Sequence, residues 1–143
     1  MAVGNSSAAP AAGAQAASVA VNGLGERTGN AAWEAVGMAA HVAVHLDCGV
    51  DRLRLSFASR LAAQASNRPT PGNKPIVGSA AFRHGSGIHC AGLAAGQRTD
   101  EPSPPEEVGH HPGAKQLIRE MGRHNLRLSP HVLRTQATVC KHA

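Results

Sequence analysis

Residues 21–36 read "VNGLGERTGNAAWEAV". The first ten hold three glycines, two asparagines and the adjacent charged pair Glu26 and Arg27. The short apolar run "ASVAV" (17–21) precedes them, and an alanine-rich stretch of helical character follows. Glycine tolerates positive φ and close backbone approach, and asparagine tolerates the left-handed region, so 22–30 is a turn. The order is strand, polar glycine-rich turn, helix, which is a common way to build a binding site. A strand is expected over 18–22. A helix is expected over 31–46, with Asn30 as its N-cap.

Outward from that turn the chain is weakly apolar. Residues 1–17 are Ala, Gly and Ser with Pro10 in their midst, which predicts a disordered tail or a weak helix broken at the proline. Asp51–Ala65 reads as an amphipathic helix: Leu53, Phe57, Leu61 and Ala65 recur every four residues with arginines between them, a stripe suited to a core or an interface. "NRPTPGNKP" (67–75) is a turn-rich linker. "IVGSAAF" (76–82) suits an extended segment or a helix start, and "RHGSGIHCAGLAAG" (83–96) is glycine-rich with two histidines. "DEPSPPEEVGHHPG" (100–113) is loop. "AKQLIREMGRHN" (114–125) reads as a last helix with Leu117, Ile118 and Met121 on one face, and 126–143 as a frayed tail.

Composition narrows the classes. The 143 residues suffice for one domain with a modest core. Much of the 42% hydrophobic content is alanine, and the aromatic residues are Trp33, Phe57 and Phe82 alone. Small side chains bury little area, so marginal stability is expected. The net charge of +5 invites an acidic partner, but the basic residues are scattered and no aromatics are interleaved for base stacking. No nucleic-acid partner is expected. Cys48, Cys90 and Cys140 are odd in number and far apart, which fits reduced thiols better than a zinc ribbon or a disulfide framework. No secretory leader pattern and no membrane-length apolar run occurs, so a cytoplasmic chain without membrane contact is expected.

Several segments resemble one enzyme family in order and approximate spacing over roughly residues 2–125. "VNGLGERTGNAAWEAV" is similar to the "VNGLGERAGNAxLEEV" segment of the homocitrate synthase and isopropylmalate synthase family. "AVGNSSAAPAAGA" (2–14) resembles the helix before that strand, "KPIVGSAAFRHGSGIHCAGL" (74–93) the family's "KPIVGxxAFxHEAGIHxDGL", and "RTDEPSPPEEVG" (98–109) its "RTYEPFxPEEVG". The middle segment is most similar in wording to homocitrate synthases of nitrogen-fixing bacteria. The resemblance implies a mainly α chain with little strand: the terminal strand-helix piece of a (β/α)8 barrel, incomplete, followed by the family's small helical subdomain. It divides the chain into a barrel remnant (1–46), a helix and Pro/Gly linker (47–75), a subdomain-like region (76–125) and a tail (126–143).

The implied chemistry is a Claisen-type condensation of acetyl-CoA with a 2-oxo acid, 2-oxoglutarate in the homocitrate branch, assisted by a divalent metal cation. The family holds that cation with an Asp after its first strand, two His of an "HxH" strand and the last Asn of the glycine-rich turn, which here is Asn30. Its subdomain "GIH" histidine, here His89, reaches a partner subunit's site and assists proton transfer, a role suited to imidazole. His84 and His111 match two further family histidines. Asn22, Glu26 and Arg27 belong to the turn, where Glu26 and Arg27 are expected to pair. Taken alone, a Gly/Asn-rich turn is ordinarily only a turn, and a lone histidine ordinarily a surface residue.

The departures matter as much. A full barrel takes roughly 250 residues. No "RDG" or "HxH" stands upstream, so one of the four usual metal ligands is present. Gly85 replaces a Glu, Ala91 an Asp, Asp100 a Tyr, and His110 and Pro112 a Lys and a Ser. Such a chain is expected to be inactive alone. It is either a split subunit, which takes acetyl-CoA and oxo acid once a barrel chain completes it as a homo- or hetero-dimer, or a decayed remnant. A non-catalytic interaction partner of a full synthase is the alternative.

Overall fold

The computed structural model describes residues 1–84, 86, 89, 92, 101–111 and 116–117. The chain divides into two compact units, Met1–Ala81 with Pro105–His111, and Phe82–Pro104 with Pro112–Ala143. Among the described residues the structure is mainly helical with little strand.

The first unit opens with α1 (Ala2–Ala8), which gives way at Pro10 to a 3-10 turn over Ala9–Ala12, closed by Gly13 in the left-handed region. Proline lacks the N–H and clashes with the preceding turn, so the α-helix ends before it. The segment expected as a strand makes only one parallel bridge, Ala20 with Ala32, and Val21–Gly23 is a 3-10 turn. The reason is local: Asn22 sits at φ +58°, which turns the chain out of extension after Ala20. The Ala20 N–H donates to Ala31 O, and the Trp33 N–H to Ala20 O, so this short segment is tied to the start of the next helix.

That helix, α2, runs Trp33–Val42, and Ala32 stands at its N-cap rather than Asn30. The bridge holds Ala32 extended and moves the helix start two residues past the asparagine. The helix also stops before residue 46, since His45 adopts φ +55°. Its buried positions are Glu34, Gly37 and Met38, an i, i+3, i+4 set on one face.

A 3-10 turn over Arg52–Arg54 leads into α3, Leu55–Ser66, which Asn67 ends in the left-handed conformation. The buried face of α3 is Leu55, Ser56 and Ser59, while Leu53, Phe57 and Leu61 are 66, 57 and 55% exposed. The four-residue stripe is therefore not core. Ser56 Oγ donates to the Val108 carbonyl at 2.7 Å, which seats the Pro105–Val108 turn against the start of α3. With their hydroxyls satisfied, the serines bury at little cost. Leu55 and Val108, at 0 and 1% exposure, anchor this small core, and none of the three aromatic side chains is buried.

The linker 67–75 continues into a run of turns across 72–82, bonded from Lys74 N to Pro71 O and from Ala80 N to Gly72 O. An apolar groove of about 370 Å³ lies along α1 and α2, lined by Pro10, Trp33, Val36, Ala40, Val44 and Val50 among others.

In the second unit, β1 (Arg83–His84) pairs in parallel with β2 (Gln116–Leu117), Arg83 opposite Gln116 and His84 opposite Leu117. Residues 116–117 are thus strand, where a helix was expected over 114–125. The pairing partner is 33 positions away, beyond the reach of local periodicity. The rest of that expected helix and the tail 126–143 lie outside the described residues, as do Cys90 and Cys140.

Candidate functional site

The glycine-rich turn is folded on itself and anchored at one end. Asn30 N–H donates to Gly23 O at 3.1 Å, and Gly29 N–H to Glu26 O at 3.1 Å. The Asn30 side chain lies across Gly25: a Cβ there would stand 2.8 Å from Asn30 Oδ1. Only a glycine gives that amide its place without displacing it. Asn30 itself is exposed. Glu26 and Arg27 are exposed and no ion pair joins them, so the expected pairing does not hold the turn. The turn is held instead by backbone bonds and by Arg27 and Asn22 at positive φ.

Its anchor is Asn22. The Asn22 backbone N–H donates to Glu34 Oε2 at 3.0 Å. Its side-chain amide donates to Ser59 O at 2.9 Å and to Thr70 Oγ1 at 3.2 Å, while Oδ1 accepts from Ser59 Oγ at 2.6 Å. One asparagine thereby ties the turn to α2, to α3 and to the linker. Glu34 is 1% exposed, and its Oε1 makes no hydrogen bond. The Lys74 ammonium, 3.3 Å away and 18% exposed as a side chain, compensates that oxygen as an ion pair. A buried carboxylate needs such a partner, because desolvation costs it several kcal/mol. Asn22, Thr70 and Lys74, with Leu24, Arg68 and Asn73, line a shallow groove of about 310 Å³.

Sequence reasoning named Asn22 but missed Glu34, Ser59, Thr70 and Lys74. A signal existed for Glu34: it is the one acid in α2 and shares the i, i+3, i+4 face with Gly37 and Met38. Nothing local marks Ser59, Thr70 or Lys74.

The histidines fall in different places. His84 Nε2 lies 2.9 Å from Glu101 Oε1, with side chains 14 and 3% exposed. His89 is exposed, and so is His111. His110 Nε2 lies 2.8 Å from the Ile76 carbonyl, which gives this ring a backbone partner. His89 and His84 belong to the second unit, Asn30 and His111 to the first. Among the described residues no group of three His, Cys, Asp or Glu could hold a metal ion. Asn30 supplies one amide oxygen, whereas a hard divalent cation takes six or more oxygen ligands, some of them water. The described residues of the turn therefore do not fit a metal by themselves. No helix among the described residues is long and apolar enough to cross a membrane.

Two family models match the chain. Residues 1–61 match the HMGL-like family model, and residues 76–139 the homocitrate synthase post-HMGL domain-like model. Homocitrate synthase AksA of Methanopyrus kandleri is 45% identical over 129 residues, covering 85% of this chain and 32% of that protein. 2-Isopropylmalate synthase 2 of Caldanaerobacter subterraneus is 43% identical over 134 residues, 86% of this chain and 35% of that protein. A putative (R)-citramalate synthase of Methanopyrus kandleri is 44% identical over 110 residues, 77% of this chain and 22% of that protein. The chain belongs to the homocitrate synthase and isopropylmalate synthase family. It spans about a third or less of the length of these relatives.

Proposed function

We propose that this chain supplies the C-terminal portion of a family acyltransferase and is active only when a barrel chain completes it. The reaction is the condensation of acetyl-CoA with a 2-oxo acid, 2-oxoglutarate on the homocitrate reading, which also carries the link to nitrogen fixation. The acetyl methyl group loses a proton and its carbon bonds to the keto carbon. Water then cleaves the thioester and releases CoA. The observation that carries this reading is the order of the two family matches, with the glycine-rich turn tied at Asn22 to the buried Glu34 and Ser59.

Within that reading each residue has a stated task. Asn30 would offer its amide oxygen to a divalent cation whose other ligands the barrel chain would have to provide. Asn22 fixes the turn, with Glu26 and Arg27 at its exposed tip. His89 moves a proton at the site of a partner subunit, with His84 and His111 as secondary candidates. Residues 1–46 are the remnant of the last barrel strand and its flanking helices, 47–75 the helix and linker, 76–125 the subdomain and 126–143 the tail. The open apolar groove along α1 and α2 is a surface suited to the barrel wall of the completing chain. On this reading the chain works in the cytoplasm as part of a homo- or hetero-dimer.

The test mixes the chain with a barrel-only partner and follows CoA thiol release. Turnover in the mixture alone, lost with Asn30→Ala or His89→Ala, supports the split enzyme. Absence of turnover removes it. A second reading, a non-catalytic partner of a full synthase, draws on the exposed Leu53, Phe57 and Leu61 stripe. A pull-down that recovers no synthase removes that one.

A further inference from the structure

Asn22 is the one asparagine of the chain that a glycine follows; Ser6, Ala31, Arg68, Lys74 and Leu126 follow the others. Asparagine before glycine is chemically labile, because no side chain shields the glycine N–H from the asparagine's own amide carbon. The fold nonetheless requires this pair. Asn22 sits at φ +58° and Gly23 at φ +67°, and a Cβ on Gly23 would stand 3.1 Å from Asn30 O. Any side chain at position 23 would be strained by both. The folded chain holds the two reacting groups apart. The Gly23 N–H donates to Ala20 O at 2.9 Å. The Asn22 amide donates to Ser59 O and Thr70 Oγ1 and accepts from Ser59 Oγ, so both of its ends are engaged. With Asn22 ψ at 9°, the Gly23 nitrogen eclipses the Asn22 backbone nitrogen and not its Cβ, so no ring through Cγ can close until that bond turns.

We infer that Asn22 is a modification site gated by this network: its side-chain amide is lost when the turn opens, and the product cannot rebuild the anchor. In the open chain the Gly23 nitrogen gives its proton to solvent base and bonds to Asn22 Cγ. The Cγ–Nδ2 bond breaks and ammonia leaves. Water then opens the cyclic imide at either carbonyl, giving aspartate, or isoaspartate whose main chain runs through the side-chain carbon. Neither product fits the folded site. An aspartate carboxylate has no proton for Ser59 O, so the two would meet oxygen to oxygen. It also adds a second negative charge beside Glu34, which is 1% exposed and accepts the N–H of this same residue. Isoaspartate lengthens the main chain by one carbon where the turn closes from Asn30 N to Gly23 O at 3.1 Å. Chains that open are thereby drawn off irreversibly, and the turn limits the lifetime of the fold. The inference stands apart from the enzyme reading and requires neither a barrel chain nor a metal.

The test incubates the full chain in mildly alkaline buffer, with and without denaturing urea. Peptide mass spectrometry follows the amide-to-acid mass gain at each asparagine, and enzymatic carboxyl methylation reads isoaspartate. In urea, conversion is expected at Asn22 well ahead of Asn30 and Asn67. Without urea, conversion at Asn22 is expected to slow by about tenfold or more. Ser59→Ala, which removes the donor to Oδ1, is expected to restore about tenfold of that rate under native conditions. Thr70→Val, which removes the acceptor of one Nδ2 proton, is expected to accelerate it less and keeps the gate testable if Ser59→Ala does not fold. Equal rates at Asn22 with and without urea overturn the inference. So does a rate in urea no faster at Asn22 than at Asn30, or folded variants that convert at the unsubstituted rate. Asn22→Asp reproduces one product directly and is expected to lose the cooperative urea transition. Unsubstituted stability in that variant overturns the claim that the product cannot rebuild the anchor.

Discussion

Replacing Lys74 with methionine removes the charge that compensates Glu34. The carboxylate is 1% exposed, keeps the Asn22 N–H on Oε2 at 3.0 Å, and loses the ammonium 3.3 Å from Oε1. Breaking a buried pair by deleting one partner costs about 3–5 kcal/mol. The Lys74 side chain is 18% exposed, so some water reaches the pair, and the lower end, about 3 kcal/mol, is expected. Glu34→Gln is milder. An amide oxygen still accepts from Asn22, and the orphaned ammonium can turn toward water, so about 1–2 kcal/mol is expected. The double variant lacks both charges, and its loss should fall short of the sum of the single losses by about 1–3 kcal/mol. Urea unfolding, followed by Trp33 fluorescence and circular dichroism, measures all four chains. The reasoning fails if Lys74→Met costs less than about 0.5 kcal/mol, the range of ordinary surface changes, or if the two substitutions add. A chain with no cooperative transition would also refute it, because the network would then carry no fold.

The other expected outcomes come from the same unit. Leu55→Ala should cost about 2–5 kcal/mol because Leu55 is fully buried, whereas Leu61→Ala, 55% exposed, should stay within about 0.5 kcal/mol in the same urea assay. Ser59→Ala strips Asn22 Oδ1 of its 2.6 Å donor and should cost about 1–3 kcal/mol, with amide exchange rising first in the glycine-rich turn. Gly25→Ala sets a methyl group against the Asn30 amide and should cost about 1 kcal/mol while displacing Oδ1, visible as a shifted Asn30 side-chain resonance; an unmoved resonance would contradict the packing.

Much of the turn was legible in advance. Asn22, Gly23 and Gly29 all take positive φ, as residues without a steric objection to that region should. Pro10 ended its helix where its missing N–H requires. The scarcity of large apolar side chains announced a thin core, and the buried hydrophobic residues are Ala31, Ala32, Met38, Leu55, Val77 and Val108 among those described. Helix limits were less legible. The start of α2 depends on a bridge between Ala20 and Ala32, and its end on His45.

The sequence by itself determined the local matters: where the chain must turn, where helices break, and the family whose motifs it carries in order. Those follow from the backbone limits of single residues and from short strings. Only the tertiary structure decided which side of α3 faces inward. Periodicity favours Leu53, Phe57 and Leu61, yet two serines lie inside, because Val108 O and Asn22 Oδ1 stand ready to accept their protons. It likewise decided that Glu34 is buried and that Lys74, 40 residues on, compensates it. A polar group is buried when a partner meets it, and that partner is set by the packed chain, not by the residues beside it.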